Sequence, residues 1–329
     1  MYVATIRRPS SPLLVCQFAG PGEERMADRI SIVEVGPRDG LQNEAVALPA
    51  DIRAAFIRRL VAAGLRRVEV GSFVSPRRIP QMAGTAEVIR RLPTGLDCRY
   101  SVLVPNAQGM QAAADLPIQE VAVFASASET FSQKNINCSI HDSIERFGPV
   151  MRMAAERSIP VRGYVSCVLG CPYEGKVSVS AVVAVSRSLA ALGCHEVSLG
   201  DTIGLGTPHE AREMVKAVAS ELPMESLAVH FHDTRGQALA NILSCIEAGV
   251  RTIDSSVAGL GGCPYAPGAS GNVSTEDLVY MLDGLGLETS VNVAAAAAAG
   301  VFISDQLGHP TRSKVATALL ATGEIGRSS

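Results

Sequence analysis

The feature that most constrains the fold of this chain is a regular alternation of short β-branched runs with longer helical stretches. The runs predict strands at 31–35, 67–70, 99–104, 120–124, 161–165, 196–199, 228–231 and 252–257. Apolar residues at helical spacing predict helices at 51–63, 83–92, 143–157, 179–192, 208–222 and 237–248. An open sheet would normally carry a glycine-rich phosphate turn after its first strand, whereas this chain has GPRDGLQ there. The pattern therefore predicts an α/β fold, a (β/α)8 barrel with a C-terminal helical extension.

Composition narrows the functional class. Hydrophobic residues make up 47% of the 329 residues and charged residues 19%, which supports a sizeable buried core. The net charge of -3 offers no electrostatic attraction for nucleic acid or an anionic membrane, so we expect neither as a partner. No apolar run approaches the roughly 18 residues that a membrane span needs. The eight cysteines are scattered and lack the paired spacing of a structural zinc site, so we expect reduced thiols.

The first thirty residues differ from the rest. They contain Arg7 and Arg8, no acid before Glu23, and a Ser/Pro/Gly-rich middle before Met26. They are either a targeting peptide or an unstructured or misannotated extension, with translation starting at Met26. Only four of the 29 basic residues are lysines, a bias typical of a GC-rich bacterial genome. We therefore expect an extension at 1–30, a barrel domain at 31–329, and a cytoplasmic rather than mitochondrial location.

Polar residues cluster where the predicted strands end. In a (β/α)8 barrel the functional groups lie at the carboxyl ends of the strands. The residues at these positions are Arg38 and Asp39 after the first strand, Glu69 and Ser72 at the end of the second, Asp201 and Thr202 after the sixth, His230 and His232 at the seventh, and Cys263 after the eighth. The barrel would therefore bring distant parts of the chain together at one rim.

The segment HFHD predicts a metal site. Residues i and i+2 of a strand point to the same face, so His230 and His232 would project together into the barrel mouth. Asp233 is a candidate for orienting one imidazole. Asp39 would add a carboxylate and Asn272 an amide oxygen, although singly they are also ordinary turn residues. This mixed ligand set suits Mg²⁺ or Mn²⁺ and could accept Co²⁺ or Zn²⁺.

Two further groups suggest chemistry at that rim. Arg38 keeps its charge and donates paired hydrogen bonds, so it could stabilise a developing oxyanion, and Glu69 is its natural partner. Residues 259–272 read GLGGCPYAPGASGN, a glycine-rich loop that carries Cys263. Most cysteines are inert and buried, but one in such a loop could act as a proton donor or a nucleophile.

Several long motifs resemble one family. The segments IVEVGPRDGLQNE, SFVSP, KNINCS, RGYVSCVLGCPYEGK, SLGDTIGLGTP, FHDTRGQALAN and SSVAGLGGCPYAPGASGNVSTEDLVYML closely resemble the hydroxymethylglutaryl-CoA lyases of the DRE-TIM metallolyase superfamily. The likeness runs from about Ile32 to Leu285. It implies a (β/α)8 fold and divalent-cation-dependent cleavage of 3-hydroxy-3-methylglutaryl-CoA into acetyl-CoA and acetoacetate, a step of leucine breakdown. A homodimer is expected.

The resemblance also implies residue roles. The metal ligands would be Asp39, His230, His232 and Asn272. Arg38 would stabilise the enolate beside Glu69, and Cys263 would take part in proton transfer. Asp39 or His230 would be the base, since His230 is similar to the family's acid/base histidine. The residues expected to meet the acyl-CoA are Arg38, Gln42, Ser72, Lys134, Asn135, Ser198 and Thr202.

Other functions stay open at this point. Related synthases, which run the bond-forming Claisen direction, share the RDG-like first strand and the HxH seventh strand but carry a different loop after strand eight. A lyase for a longer 3-hydroxy-3-alkylglutaryl-CoA could use the same catalytic set. A metal-dependent hydrolase would usually hold HxH on its first barrel strand. A non-enzymatic binding barrel would have no reason to gather these groups at one rim.

Overall fold

The computed structural model describes residues 29–262 and 271–326. The predictions for the first 28 residues, including a start at Met26, lie outside the described residues, and so does Cys263. Within the described ranges, six cysteines are free thiols. Among the same residues, no helix is both long enough and apolar enough to cross a bilayer.

Eight parallel strands form the centre of the molecule and close into a barrel in chain order. They are β1 Ser31–Glu34, β2 Arg67–Ser72, β3 Arg99–Leu103, β4 Glu120–Ser126, β5 Val161–Ser166, β6 Glu196–Asp201, β7 Leu227–Phe231 and β8 Thr252–Ser255. The barrel closes where β1 pairs with β8, in a register that places Ser31 opposite Thr252. The predicted (β/α)8 barrel is confirmed.

Helices surround the barrel and extend beyond it at the carboxyl terminus. They are α1 Ala50–Ala62, α2 Thr85–Arg90, α3 Ala107–Ala113, α4 Glu129–Ile136, α5 Ile140–Glu156, α6 Val179–Leu192, α7 Pro208–Ala219, α8 Ala238–Ala248, α9 Thr275–Gly284, α10 Val293–Leu307 and α11 Lys314–Thr322. Each of the eight strands is followed by at least one of these helices, from α1 after β1 to α9 after β8. The C-terminal helical extension is confirmed as α10 and α11.

Some element boundaries differ from those predicted. Helix α2 is shorter because Gly84 precedes it with a φ of +71° and a short 3-10 turn, Pro80–Met82, comes before that. Helix α5 starts three residues earlier than predicted, at Ile140, because the Ser139 hydroxyl accepts a hydrogen bond from the Asp142 amide and caps it. Strand β2 runs on to Ser72, so Glu69 lies in the middle of the strand and not at its end. A register irregularity between Glu69 and Gly71 accompanies this extension.

The lower half of the barrel interior is charged rather than apolar. Arg162 of β5 is 1% exposed and donates to Glu196 of β6 at 2.5 Å and to Asp254 of β8 at 2.6 and 3.0 Å. Arg67 of β2 donates two further hydrogen bonds to Glu196, at 2.9 and 3.0 Å. Buried charges are tolerated where each has hydrogen-bonded partners of opposite sign. This paired layer forms the floor on which the site at the barrel mouth rests.

Candidate metal centre and active site

A five-residue turn after β1 places two functional side chains side by side. Gly36–Gly40 form a single π-helical turn, with Pro37 at its second position. A Cβ on Gly40 would lie 2.8 Å from the Leu260 Cβ, so this position must be glycine for the turn to pack against residue 260. The turn directs Arg38 and Asp39 to the cavity at the carboxyl ends of the strands.

The two histidines come from the end of β7, as their spacing predicts. Their ring centroids lie 5.4 Å apart. His230 Nε2 is 3.8 Å from Asp39 Oδ2. One donor atom from each of Asp39, His230 and His232 falls within 4.8 Å of the other two. The structure therefore brings together three of the four predicted ligands, although 193 residues separate Asp39 from His232 in the sequence.

Asn272 completes this group. Its side-chain amide donates to Asp39 Oδ2 at 2.9 Å and to the Leu260 carbonyl at 3.1 Å. A backbone bridge pairs Asn272 with His232. Gly271 precedes it with a φ of +88°, and a Cβ there would lie 2.0 Å from the Gly261 carbonyl oxygen. Residues 259–261 and 271–272 thus pack closely, and we call them the neck of the glycine-rich loop.

The residues present fit a divalent cation. The donor set combines a carboxylate, two imidazoles and an amide, which suits a hard or borderline metal. Nδ1 of His232 is buried and has no hydrogen-bond partner among the described residues. Because native proteins rarely leave a buried polar atom unpaired, this nitrogen indicates that a ligand or ion binds beside the imidazole. The amide of Asn272 would have to turn its oxygen toward the ion to serve as a ligand.

Burial and neighbouring charges shift the pKa values of Asp39 and of the two histidines. Burial alone would raise the pKa of Asp39, but the charges of Arg38 and the two imidazoles outweigh it and lower the pKa to about 2. Burial and the neighbouring His230 lower the pKa of His232 to about 4. Burial would also lower the pKa of His230, but its hydrogen bond to Asp254 and the nearby Asp39 raise it overall. At neutral pH Asp39 is therefore anionic and His232 neutral, as metal ligation requires.

The expected role of Asp233 is wrong. Its carboxylate accepts a hydrogen bond from the Ala238 amide at 3.0 Å and so caps the first turn of α8. The carboxylate beside an imidazole is that of Asp254, whose Oδ2 lies 3.2 Å from His230 Nδ1. Sequence reasoning missed Asp254, although an acid within the short predicted strand 252–257 was a visible signal.

Arg38 is held on three sides. Its Nε donates to Glu69 Oε2 at 2.6 Å, the partner expected from the sequence, and a terminal nitrogen donates to Asp39 Oδ1 at 2.7 Å. Its guanidinium lies 5.3 Å from the centroid of the Tyr164 ring. Burial opposes its charge, yet the carboxylates of Glu69 and Asp39 raise the pKa of Arg38 well above its usual value. The guanidinium is therefore charged and fixed in direction at the cavity wall.

A cavity of about 500 Å³ opens at this end of the barrel. Three of the residues expected to meet substrate line it besides Arg38: Gln42, Asn135 and Thr202. Gly262, directly before Cys263, also lines it. The cavity can therefore hold a small acyl group against the candidate metal centre.

The other three expected contacts lie elsewhere. Ser72 is buried in β2 with no hydrogen-bond partner for its hydroxyl in the described structure. Ser198 is buried in β6 and donates to Asp254 at 2.9 Å. The Lys134 ammonium lies 5.0 Å from the centroid of the Tyr173 ring. None of the three is among the described residues that line the cavity.

Several lining residues were not predicted. Tyr164 follows Arg162 by two positions on β5, so the alternation of a strand could have placed both inside the barrel. Asn106 follows β3, where the rim rule of the fold applies. Arg78 and Arg146 also line the cavity, and no sequence signal distinguishes them from other surface arginines.

Comparisons with known proteins agree with this geometry. A profile of the HMGL-like family matches residues 29–303. Hydroxymethylglutaryl-CoA lyase of Pseudomonas mevalonii is 57% identical over 292 residues, which cover 89% of this chain and 97% of that protein. The crystal structure of hydroxymethylglutaryl-CoA lyase from Pseudomonas aeruginosa matches with a TM-score of 0.88 at 53% identity, over 90% of this chain and 99% of that one. An HMG-CoA lyase from Acinetobacter baumannii was solved with coenzyme A and 3-methylmalate. It matches with a TM-score of 0.86 at 36% identity, over 90% of this chain and 97% of that one.

Proposed function

Because the chain belongs to the HMGL-like family, the hydroxymethylglutaryl-CoA lyases, we propose that it cleaves 3-hydroxy-3-methylglutaryl-CoA into acetyl-CoA and acetoacetate. The observation that carries this proposal is the gathering of Asp39, His230 and His232 beside the fixed Arg38, in a chain that matches such a lyase along nearly its whole length. Neither a condensing synthase nor a lyase for a longer acyl chain is favoured over this activity.

The activity is metal-dependent, and we propose that Asp39, His230, His232 and Asn272 hold the ion. A bound divalent cation would polarise the hydroxyl and carboxylate oxygens of the substrate and lower the pKa of the hydroxyl. The oxygen donors and the open cavity beside them support Mg²⁺ or Mn²⁺, with Co²⁺ or Zn²⁺ as possible substitutes.

The protein side chains would carry the remaining steps. Asp39 accepts the proton of the tertiary hydroxyl. His230, the other base that the resemblance implies, directs Nδ1 at Asp254 and Nε2 toward the other candidate metal ligands, so it has no nitrogen left to accept this proton. The adjacent C–C bond then breaks: the hydroxyl carbon becomes the ketone of acetoacetate, and the bonding electron pair moves into the thioester as an enolate. Arg38 stabilises that enolate, because Glu69 and Asp39 hold its guanidinium in place before the charge develops. Cys263 donates a proton to the enolate carbon, which completes acetyl-CoA.

The acyl-CoA contacts are proposed from the cavity wall. Gln42, Asn135 and Thr202 line the cavity and present polar groups to the acyl part or the adjoining thioester arm. The related Acinetobacter structure with coenzyme A supports a CoA-bearing ligand in this fold. We also propose a homodimer. A bacterial cytoplasmic location is proposed as well, and the lysine-poor composition and the bacterial relatives support it.

One assay tests the proposal. The purified full-length chain, supplied with Mg²⁺, is given 3-hydroxy-3-methylglutaryl-CoA, and acetoacetate is measured with a coupled dehydrogenase. We expect acetoacetate and acetyl-CoA in equal amounts, loss of activity with a chelator, and recovery on adding Mg²⁺ or Mn²⁺. A longer 3-alkyl analogue run in parallel should turn over more slowly. Absence of acetoacetate from the methyl substrate in the presence of metal would contradict the proposal.

A further inference from the structure

Hydrogen bonds from three side chains converge on the carboxylate of Asp254. Arg162 donates to both of its oxygens, at 2.6 and 3.0 Å, and the Ser198 hydroxyl donates to Oδ2 at 2.9 Å. His230 Nδ1 lies 3.2 Å from the same Oδ2. The side chain of Asp254 is fully buried, so water does not compete for these oxygens. The four contacts leave the carboxylate a single orientation.

This contact decides which nitrogen of His230 is available. An ionised carboxylate only accepts hydrogen bonds, so Nδ1 must carry the proton that it donates to Asp254. Nε2 is then the lone-pair nitrogen, and it faces Asp39 Oδ2 at 3.8 Å, where the candidate ligands gather. The Tyr164 ring packs edge-on against the imidazole, with an angle of 81° between the two planes. The direction of the imidazole is thus set from two sides.

His232 lacks such a support. Its Nδ1 is buried with no hydrogen-bond partner in the described part of the chain. The residue that follows it, Asp233, turns away to cap α8. The two imidazoles of the centre therefore differ: one is preset by a carboxylate, and the other can adjust to the ion.

We propose that Asp254 is a positioning residue of the metal centre, and that Arg162 and Ser198 act through it. Asp254 would keep His230 in the tautomer that offers Nε2 to the ion and would increase the basicity of that nitrogen. Such partners of metal-bound histidines commonly account for about 10- to 100-fold in metal affinity. The inference rests on the proposed metal site. It assigns to the ion pair between Arg162 and Asp254 a role in metal binding beyond stabilising the barrel.

A matched pair of variants tests this role. Asp254→Ala removes the carboxylate beside His230, and Asp233→Ala removes the one that adjoins His232 in sequence but touches neither imidazole. The full-length proteins are stripped of metal and titrated with Mn²⁺ by calorimetry. We expect the Kd of Asp254→Ala to rise by about 10- to 100-fold, whereas Asp233→Ala binds as the wild type does and loses only thermal stability.

A second measurement, by NMR, reports the tautomer of His230. The chain has only six histidines, so ¹⁵N-histidine NMR spectra of the Mg²⁺-loaded protein are tractable. In the wild type we expect one histidine protonated at Nδ1 with Nε2 on the ion, and in Asp254→Ala a mixture of tautomers at that residue. If the unpaired Arg162 prevents folding, R162M/D254L removes both charges at similar volume and should show the same two effects.

The outcomes separate this inference from the proposal on which it rests. A wild type that binds no divalent cation would overturn both. A wild type that binds Mn²⁺, together with a folded Asp254→Ala or R162M/D254L that binds it equally tightly and keeps the Nδ1-protonated tautomer, would overturn only the role of Asp254.

Discussion

At the scale of single residues, the site depends on groups whose direction is fixed before substrate arrives. Arg38 is buried, paired with Glu69 and Asp39, and lies against the Tyr164 ring. A guanidinium that is already oriented need not reorganise when charge develops on the thioester, which is how such donors lower a barrier. Removing the charge of Arg38 should therefore lower kcat more than it weakens substrate binding.

Arg38→Met tests this directly. We expect kcat to fall by about 10²–10³, as for loss of one oxyanion donor, with a smaller change in KM. Arg78→Met is the matched control, because Arg78 is an exposed arginine that lines the same cavity but forms no hydrogen bond or ion pair with the candidate ligands or Glu69 in the described part of the chain. Steady-state kinetics of both variants decide the matter. Equal kcat in Arg38→Met and the wild type would contradict the role given to Arg38.

Cys263 belongs to the same scale, although its position lies outside the described residues. Cys263→Ala should lose most turnover, because the enolate would lack its proton donor. Metal affinity should stay that of the wild type, since no metal ligand changes. Calorimetry with Mn²⁺ and the acetoacetate assay measure the two effects separately. A variant that keeps full activity would rule out the thiol as the donor.

At the scale of elements, the turn after β8 leads into the neck of the glycine-rich loop and is held by two buried carboxyl groups. Ala258 has a positive φ of 61°, an unusual conformation for a residue with a Cβ. The Ala258 amide donates to Glu276 at 2.9 and 3.0 Å, and the Val257 amide donates to Glu34 at 3.0 and 3.2 Å. These bonds stabilise a turn that the local sequence alone would not favour.

The buried carboxyl of Glu276 predicts a pH dependence of stability. Burial, and the nearby charges of Glu34 and Asp277, raise its pKa from 4.5 to about 8 in the folded protein. A group whose pKa is raised by folding stabilises the protein at low pH, and that contribution is lost as pH rises through the folded pKa. Relative to Glu276→Gln, the free energy of unfolding of the wild type should thus fall between about pH 5 and 8, by a few kcal/mol.

Urea unfolding of the two proteins across this pH range measures the difference. Glu247→Gln, at an exposed position on α8, is the control and should run parallel to the wild type. A constant difference between the wild type and Glu276→Gln at all pH values would show that this carboxyl does not change its protonation on folding.

At the scale of the whole molecule, the C-terminal extension completes the barrel mouth. Arg312, in the segment between α10 and α11, donates to the Gly261 carbonyl at 2.5 Å and to the Gly259 carbonyl at 3.4 Å. Its backbone amide donates to the Ala258 carbonyl at 3.0 Å. Glu44, after the turn that carries Asp39, lies within 3.9 Å of the same guanidinium. The extension therefore supports the neck from which Asn272 reaches Asp39.

Arg312→Ala should weaken this support. We expect a loss of about 1 kcal/mol in the free energy of unfolding, together with lower metal affinity because the neck that carries Asn272 is less well held. Lys314→Ala, at an exposed position two residues on, is the control. Thermal unfolding and Mn²⁺ titration provide the measurements, and unchanged metal affinity in Arg312→Ala would contradict the link between the extension and the site.

The sequence by itself determined the barrel, because its strands and helices follow from local periodicity. Of the four candidate ligands, periodicity accounts for His230 and His232 only, and the choice of Asp39 and Asn272 rests on the likeness to the family. Strand alternation places His230 and His232 on one face, and parallel strands in a barrel bring their carboxyl ends to one rim. Adjacency along the chain was a poor guide to contacts, however. It favoured Asp233 as the support of an imidazole, whereas the carboxylate beside His230 is that of Asp254. The local pattern also did not extend β2 past residue 70.

Only the tertiary structure decided which side chain meets which. His230 and Asp254 are partners in the register of β7 and β8, although 24 residues separate them in the chain. That register depends on how all eight strands tilt to close the barrel, a property of the whole sheet and not of either strand. Closure also turns Ser198 toward Asp254 and brings Arg312 against the neck of the loop. The local pattern thus sets the face on which a residue lies, and barrel closure sets its neighbour.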